Sequence, residues 1–251
     1  MNLNAVVTAG GRVDAEFAQI IGTPVKALAH INGTTMLSRT IAALRETGIE
    51  RIAVIGGQDV RDACADTVDN VLAEFPTGVE NIRAALHAWD SAVPLLYATS
   101  DMPFITASAV GDFVNAAPPD TVALPLTEWP DFAARFPGSP PFGVRVGSEK
   151  IVNGGLFMIP KGAVSTIEAF ALRFFDARKS LWRMAALAGP TILTRFLTGS
   201  LSVAHVESRA SRVLGIPART VRHAPPELAY DIDVLAEYTY AVEYAVEHDA
   251  R

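Results

Sequence analysis

Apolar residues follow two rhythms along this chain. Short unbroken runs alternate with stretches in which apolar side chains recur every three or four positions, the period of one helix face. Ala5-Val6-Val7-Thr8 is the first run, and it stops at Ala9-Gly10-Gly11. It reads as a buried strand ended by glycine. Met36, Leu37, Ile41 and Leu44 then share one helical face, with Thr34 or Thr35 as N-cap and Gly48 as the stop. Ile52–Ile55 predicts a second buried strand, ended by Gly56-Gly57. A helix is expected around Ile82–Trp89 and a third strand over Val93–Ala98. Another helix starts near Thr106 and buries Val110, Phe113 and Val114.

Strand-helix alternation of this kind predicts a parallel sheet with helices on both faces. Ligands of such sheets bind outside the carboxyl ends of the strands. The Gly10-Gly11 loop and Asp101 both follow strands, so the pattern alone puts them on one edge.

The second half is more mixed. Strands are expected at Thr121–Leu126, Phe142–Val146 and Ile151–Ile159, the last carrying Asn153-Gly154-Gly155. Glu128–Pro141, rich in Pro, Phe and Gly, reads as a loop or lid. Helices are expected at about Ala163–Phe175 and Leu181–Phe196. The apolar run Val203–Val206 precedes a short helix near Ser208–Leu214, and a last helix follows Asp231-Ile232-Asp233 and reaches about Glu247.

Composition narrows the class. Half of the 251 residues are hydrophobic and 19% are charged, which excludes a disordered chain. With 21 Lys and Arg against 27 Asp and Glu, the net charge is −6. That balance argues against a nucleic-acid binder, which usually shows a basic surplus. Cys64 stands alone, so no disulfide within the chain and no Cys/His metal cluster can form. No basic-then-apolar leader opens the sequence and no run approaches a membrane span, so a soluble cytoplasmic protein is expected.

Four segments could carry chemistry. Glycines in Ala9-Gly10-Gly11-Arg12 would let backbone approach a ligand closely, with Arg12 and Lys26 adding positive charge for phosphate. A lone Gly-Gly more often marks a plain turn. Asp101, just past a buried strand, suits Mg²⁺, which takes one or two carboxylates and fills its shell with phosphate and water. Alone, it would more often cap a helix. Asp231-Ile232-Asp233 puts two carboxylates on one side of an extended segment, at even odds with one of them being an N-cap. Asn153-Gly154-Gly155 marks a bulge or a close approach within a strand.

In this order and spacing the segments resemble the MobA-like nucleotidyltransferases. The matching motifs are Ala9-Gly10-Gly11, Pro24-Val25-Lys26-Ala27-Leu28, Gly33-Thr34-Thr35-Met36-Leu37, Ser100-Asp101-Met102-Pro103-Phe104, Asn153-Gly154-Gly155 and Asp231-Ile232-Asp233, with Glu237 beyond. The resemblance implies a Rossmann-like three-layer α/β/α fold with a mostly parallel mixed sheet, the GT-A-like nucleotide-diphospho-sugar transferase fold. It implies one domain, with a nucleotide-binding half over about 1–117 and an acceptor-binding half over about 118–251.

It further implies that Ala9, Gly10, Gly11, Asn81 and Ser100 hold the nucleotide, and that Arg12, Lys26 and Asp101 act on its phosphates. Asp101 with Asp231 or Asp233 would bind Mg²⁺. Asn153, Gly154, Gly155, Arg178 and Lys179 would face the acceptor. One departure is the segment Val13–Thr23, longer than the family's loop and carrying Asp14 and Glu16. The implied reaction moves an NMP group from an NTP to a phosphorylated small molecule and releases pyrophosphate, with no nucleic-acid or membrane partner and a homodimer as one assembly. Rival readings are a GT-A glycosyltransferase and a nucleotide-binding protein without catalysis.

Overall fold

A computed structural model of the chain describes residues 2–90, 92–177, 180 and 186–248. Its elements, in chain order, are β1 (Asn4–Thr8), α1 (Ala15–Ile21), β2 (His30–Ile31), β3 (Thr34–Thr35), α2 (Met36–Glu46), β4 (Arg51–Gly56), α3 (Gln58–Cys64) and β5 (Asn70–Ala73). Then come α4 (Gly78–Leu86), β6 (Leu95–Thr99), α5 (Ala107–Ala116), β7 (Val122–Glu128), α6 (Trp129–Arg135), β8 (Val144–Val146), β9 (Glu149–Asn153) and β10 (Leu156–Ile159). The chain closes with α7 (Val164–Ala177), α8 (Pro190–Leu197), α9 (Val203–Leu214), β11 (Ala218–Arg222) and α10 (Leu235–His248).

One sheet runs in the order β5-β4-β1-β6-β10-β7-β9-β8, with β11 paired to β7. β1 lies parallel between β4 and β6, and all strands of this sheet except β9 and β10 run one way. Alternation along β1 sorts the core. Ala5 and Val7 pack with α2 and α5 through Leu37, Ile41, Leu44, Val110 and Phe113. Val6 packs the other way, with Leu86 of α4 and Val164 of α7. Helices therefore cover both faces, and the fold is the α/β class that the periodicity predicts. Each fully buried aliphatic side chain here contributes on the order of 1.5–3 kcal/mol.

A third apolar cluster lies beyond the sheet and is aromatic. Phe104, Phe132, Phe136, Phe142 and Tyr230 pack at 4.8–6.1 Å between ring centroids, in stacked, tilted and edge-on pairs. This cluster corrects the expectation of a loop over Glu128–Pro141. Pro130 fits the first turn of α6, and Phe132 and Phe136, one turn apart, anchor it in the core.

Other boundaries move for physical reasons. The long segment Val13–Thr23 holds helix α1, because Asp14 accepts a hydrogen bond from the Phe17 amide at 2.9 Å and Gly22 closes the end at φ 75°. Phe17 is buried there and packs on Tyr238. The single strand expected over Ile151–Ile159 is two, β9 and β10, broken at Gly154-Gly155. Val203–Val206 is the first turn of α9 and not a separate run, and the helix expected at Ile82–Trp89 spans Gly78–Leu86. Among the described residues, no helix is long and apolar enough to cross a membrane.

Candidate active site at the strand ends

β1 and β6 end side by side, and their register places Thr8 opposite Thr99. The next residues, Ala9-Gly10-Gly11 and Ser100-Asp101, therefore leave the same edge. Ser100 is buried, and its hydroxyl donates to the Thr8 carbonyl at 2.8 Å, which locks the two ends together. Gly11 accepts from the Lys26 amide at 2.9 Å, and Val13 donates to Pro24 at 3.1 Å. This pairing brings Lys26 back over the edge.

Lys26 is the centre of the charge arrangement. Its Nζ lies 2.7 Å from Asp101 Oδ2 and 2.7 Å from Asp233 Oδ1. The side chains of Lys26 and Asp101 are only 15% and 16% exposed, whereas Asp233 is 70% exposed. Burial works against charge on Lys26, but the ion pair and hydrogen bond with Asp101, then those with Asp233, outweigh it and raise its pKa. The ammonium stays protonated throughout the neutral range.

Asp231 and Asp233 reach this place through alternation. Tyr230 and Ile232 are fully buried in the aromatic cluster, which turns the residues between and after them outward. The Ile232 amide donates to the Asp101 carbonyl at 3.1 Å, and this ties the segment to the end of β6. Glu237 accepts from the Asp233 and Val234 amides at 2.5 and 2.9 Å and fixes the start of α10. Burial, followed by repulsion from Asp101, Asp233 and Glu237, pushes the Asp231 carboxyl up to about 7. Here negative charge exceeds positive.

Two groups record the shortfall. Asp101 Oδ1 is buried without a hydrogen-bond partner among the described residues, and burial, then its acidic neighbours, favours the protonated form of Asp231. A buried acceptor left unpaired costs about 1–3 kcal/mol. Hard carboxylate oxygens are the donor set that Mg²⁺ takes, and Lys26 leaves Asp101 Oδ1 open, so the residues present fit that ion.

Arg12 takes a neighbouring position. Its guanidinium is 2.8 Å from Glu74 Oε2 and donates to the Gly10 carbonyl at 3.2 Å. Glu74 follows β5 and was not singled out in the sequence. A Cβ on Gly10 would stand 2.5 Å from Glu74 Oε1, so glycine is what admits this carboxylate. The cue was faint: one glutamate after a strand of only four residues.

The remaining expected residues lie elsewhere. Asn81 holds the Phe75 backbone with both ends of its amide, at 2.8 and 2.9 Å, and so shapes the loop before α4. Gly154 and Gly155 lie under the end of β6. Their amides donate to Pro125 and Leu228, and a Cβ on Gly155 would collide with Thr99 Oγ1. Asn153 is exposed at the end of β9. Arg178 and Lys179 lie outside the described residues.

The model of the MobA-like NTP transferase domain matches residues 5–173. The chain belongs to this family. Family and sheet together make it a transferase of the nucleotidyl type, on the nucleotide-diphospho-sugar transferase fold. A hypothetical transferase structure from Thermus thermophilus is 29% identical, covers 93% of this chain and 98% of its own, and superposes with a TM-score of 0.82. The 2-C-methyl-D-erythritol 4-phosphate cytidylyltransferase from the same organism is 15% identical, with 98% and 100% covered and a TM-score of 0.59. A CMP:2-keto-3-deoxy-manno-octonic acid synthetase complexed with CTP is 13% identical, with 98% and 99% covered and a TM-score of 0.59. These two share the fold. No curated protein matches the sequence.

Proposed function

We propose that this MobA-like transferase moves an NMP group from an NTP to a phosphorylated small-molecule acceptor, with Mg²⁺ and with release of pyrophosphate. One observation carries the reading. Lys26 Nζ bridges Asp101 and Asp233 at 2.7 Å each, beside the buried, unpartnered Asp101 Oδ1, at the strand edge where such sheets bind ligands. The two solved relatives at 13–15% identity add no residue roles.

Chemically the task is to bring two anions together. An oxygen of the acceptor phosphate attacks the α-phosphorus, the bond from that phosphorus to the bridging β-oxygen breaks, and pyrophosphate leaves with the electron pair. The acceptor oxygen is already anionic, so no strong general base is required. Asp101, Asp231 and Asp233 would hold Mg²⁺, which when bound offsets phosphate charge. Lys26 would orient the α-phosphate, and the Gly10-Gly11 backbone would admit the triphosphate closely. Arg12, steadied by Glu74, would contact the outer phosphates.

In this reading the chain works as one unit, its first 117 residues serving the nucleotide and the rest the acceptor. The deciding experiment is a pyrophosphate-release screen of four NTPs against a panel of phosphorylated acceptors. Pyrophosphate equal to NTP consumed supports the proposal. Release of NDP from a nucleotide sugar would favour the glycosyltransferase, and binding without turnover across the panel would favour the non-catalytic reading.

A further inference from the structure

A second charged feature lies well away from the strand ends in sequence, and outside the family match of residues 5–173. Between α8 and α9 there is a cavity of about 240 Å³. His205, Ser208, Arg209 and Arg212 form one wall, spaced as i, i+3, i+4 and i+7 on one face of α9. The start of α8 forms another, with Arg195 from the same helix.

The lining is strongly basic. Three guanidiniums and an imidazole face the cavity, and no Asp or Glu lines it among the described residues. Arg195 and Arg212 have no side-chain partner among those residues. Arg209 is held in place by its donation to the Leu187 carbonyl at 2.8 Å, while its Nε is buried with no partner among the described residues.

Backbone features point the same way. Gly189 precedes α8 at φ 83° and contributes no side-chain cap, so amides of the first turn lack side-chain acceptors. A Cβ at that position would lie 3.1–3.4 Å from the Arg209 guanidinium and crowd it. The Ser202 amide donates to His205 Nδ1 at 3.2 Å, which leaves Nε2–H as the ring's donor. A helix start with guanidinium forks around it suits a tetrahedral, doubly charged oxyanion.

The geometry points to a second anion site here, one that takes a phosphate group, either free or as the ester of a small molecule. It shares no lining residue with the Lys26 and Asp101 site and does not depend on the nucleotidyl-transfer reading. Isothermal titration at fixed ionic strength tests it, with inorganic phosphate and glucose 1-phosphate as probes. Wild type should bind at least one. R195Q and R212Q should each weaken that binding about tenfold, the loss of one charge-assisted bond. R145Q, at an exposed arginine of β8 that lines neither site, should leave it unchanged. Tighter binding of glucose 1-phosphate identifies an ester as the occupant, and tighter or equal binding of phosphate identifies the free ion. Since Arg195 and Arg212 hold no other group among the described residues, both variants should keep the wild-type melting temperature. No binding to wild type, or binding that R145Q weakens while R195Q and R212Q do not, would overturn the assignment.

Discussion

The strand-edge site and the α8–α9 cavity are opposite in charge. At the edge, Asp101 and Asp233 flank one ammonium, Asp231 and Glu237 add further negative charge, and a carboxylate oxygen of Asp101 has no partner among the described residues. In the cavity, three arginines and a histidine share no carboxylate among the described residues, and a guanidinium nitrogen has no partner. The net charge of −6 averages over both. What identifies each place is its local imbalance, because a fold keeps uncompensated buried charge where a ligand completes it.

The largest effect should come from Asp101→Asn. The change keeps the shape but removes the charge at the centre of the edge site, so turnover should fall on the order of 10²–10³-fold. The melting temperature should stay close to wild type. Steady-state assay beside calorimetry reads both, and wild-type turnover would break the contrast between the two sites.

Lys26→Met removes the edge site's cation. In metal-free protein this should cost about 2–3 kcal/mol, somewhat below the value for a wholly buried pair, since part of the site is exposed. Millimolar Mg²⁺ should restore much of that loss, because the carboxylates then meet a cation again. Denaturant titration with and without Mg²⁺ measures it, and a loss that Mg²⁺ leaves untouched would count against a metal site.

Asp231 sharpens the contrast through pH. Its folded pKa of about 7 lies above the usual 3.8, so the folded protein holds this proton more tightly than the unfolded chain. The group's contribution is full below about pH 4 and is lost as pH rises through 7. In chelator, wild type should therefore lose stability relative to Asp231→Asn between pH 5 and pH 8. A difference that is flat with pH, or that runs the other way, would contradict the crowding of carboxylates.

The smallest effect should be that of Arg12→Gln. Its ion pair with Glu74 is half-exposed, so stability should change by about 0.2–1 kcal/mol. The KM for NTP should rise while the melting temperature hardly moves. An unchanged KM would remove Arg12 from the phosphate site and leave it a partner of Glu74 alone.

Much of the first half of the fold was legible because its period is clean. β1, α2, β4, β6 and α5 carry apolar runs or faces with visible caps, Thr35 and Thr106 among them. Legibility failed where tertiary contacts overrode local cues. α1 is only seven residues long and buries a single side chain, Phe17, so it is held by that contact and the Asp14 cap. α6 sits in a Pro-rich stretch and is stabilised by rings from Phe104 and Tyr230, far away in sequence. β5 is only four residues long, too short to declare itself, and with it went Glu74.

The sites divided the same way. Lys26, Asp101 and the Asp231/Asp233 pair were named from sequence, and the fold brings them together across more than two hundred positions. Glu237, which fixes the Asp233 backbone, was visible only as a helix residue. The α8–α9 cavity was not foreseen, since arginines spaced along a helix usually read as a solvated face.

The central claim is that the Lys26 and carboxylate cluster at the strand ends performs nucleotidyl transfer. The most direct measurement compares pyrophosphate release by wild type and D101N, with Mg²⁺ and with chelator, in the presence of NTP and a phosphorylated acceptor. The account predicts pyrophosphate matching the nucleotidyl-linked product in wild type with Mg²⁺, and a near-complete loss in the other three arms. Equal release by D101N, or release that persists in chelator, would contradict it.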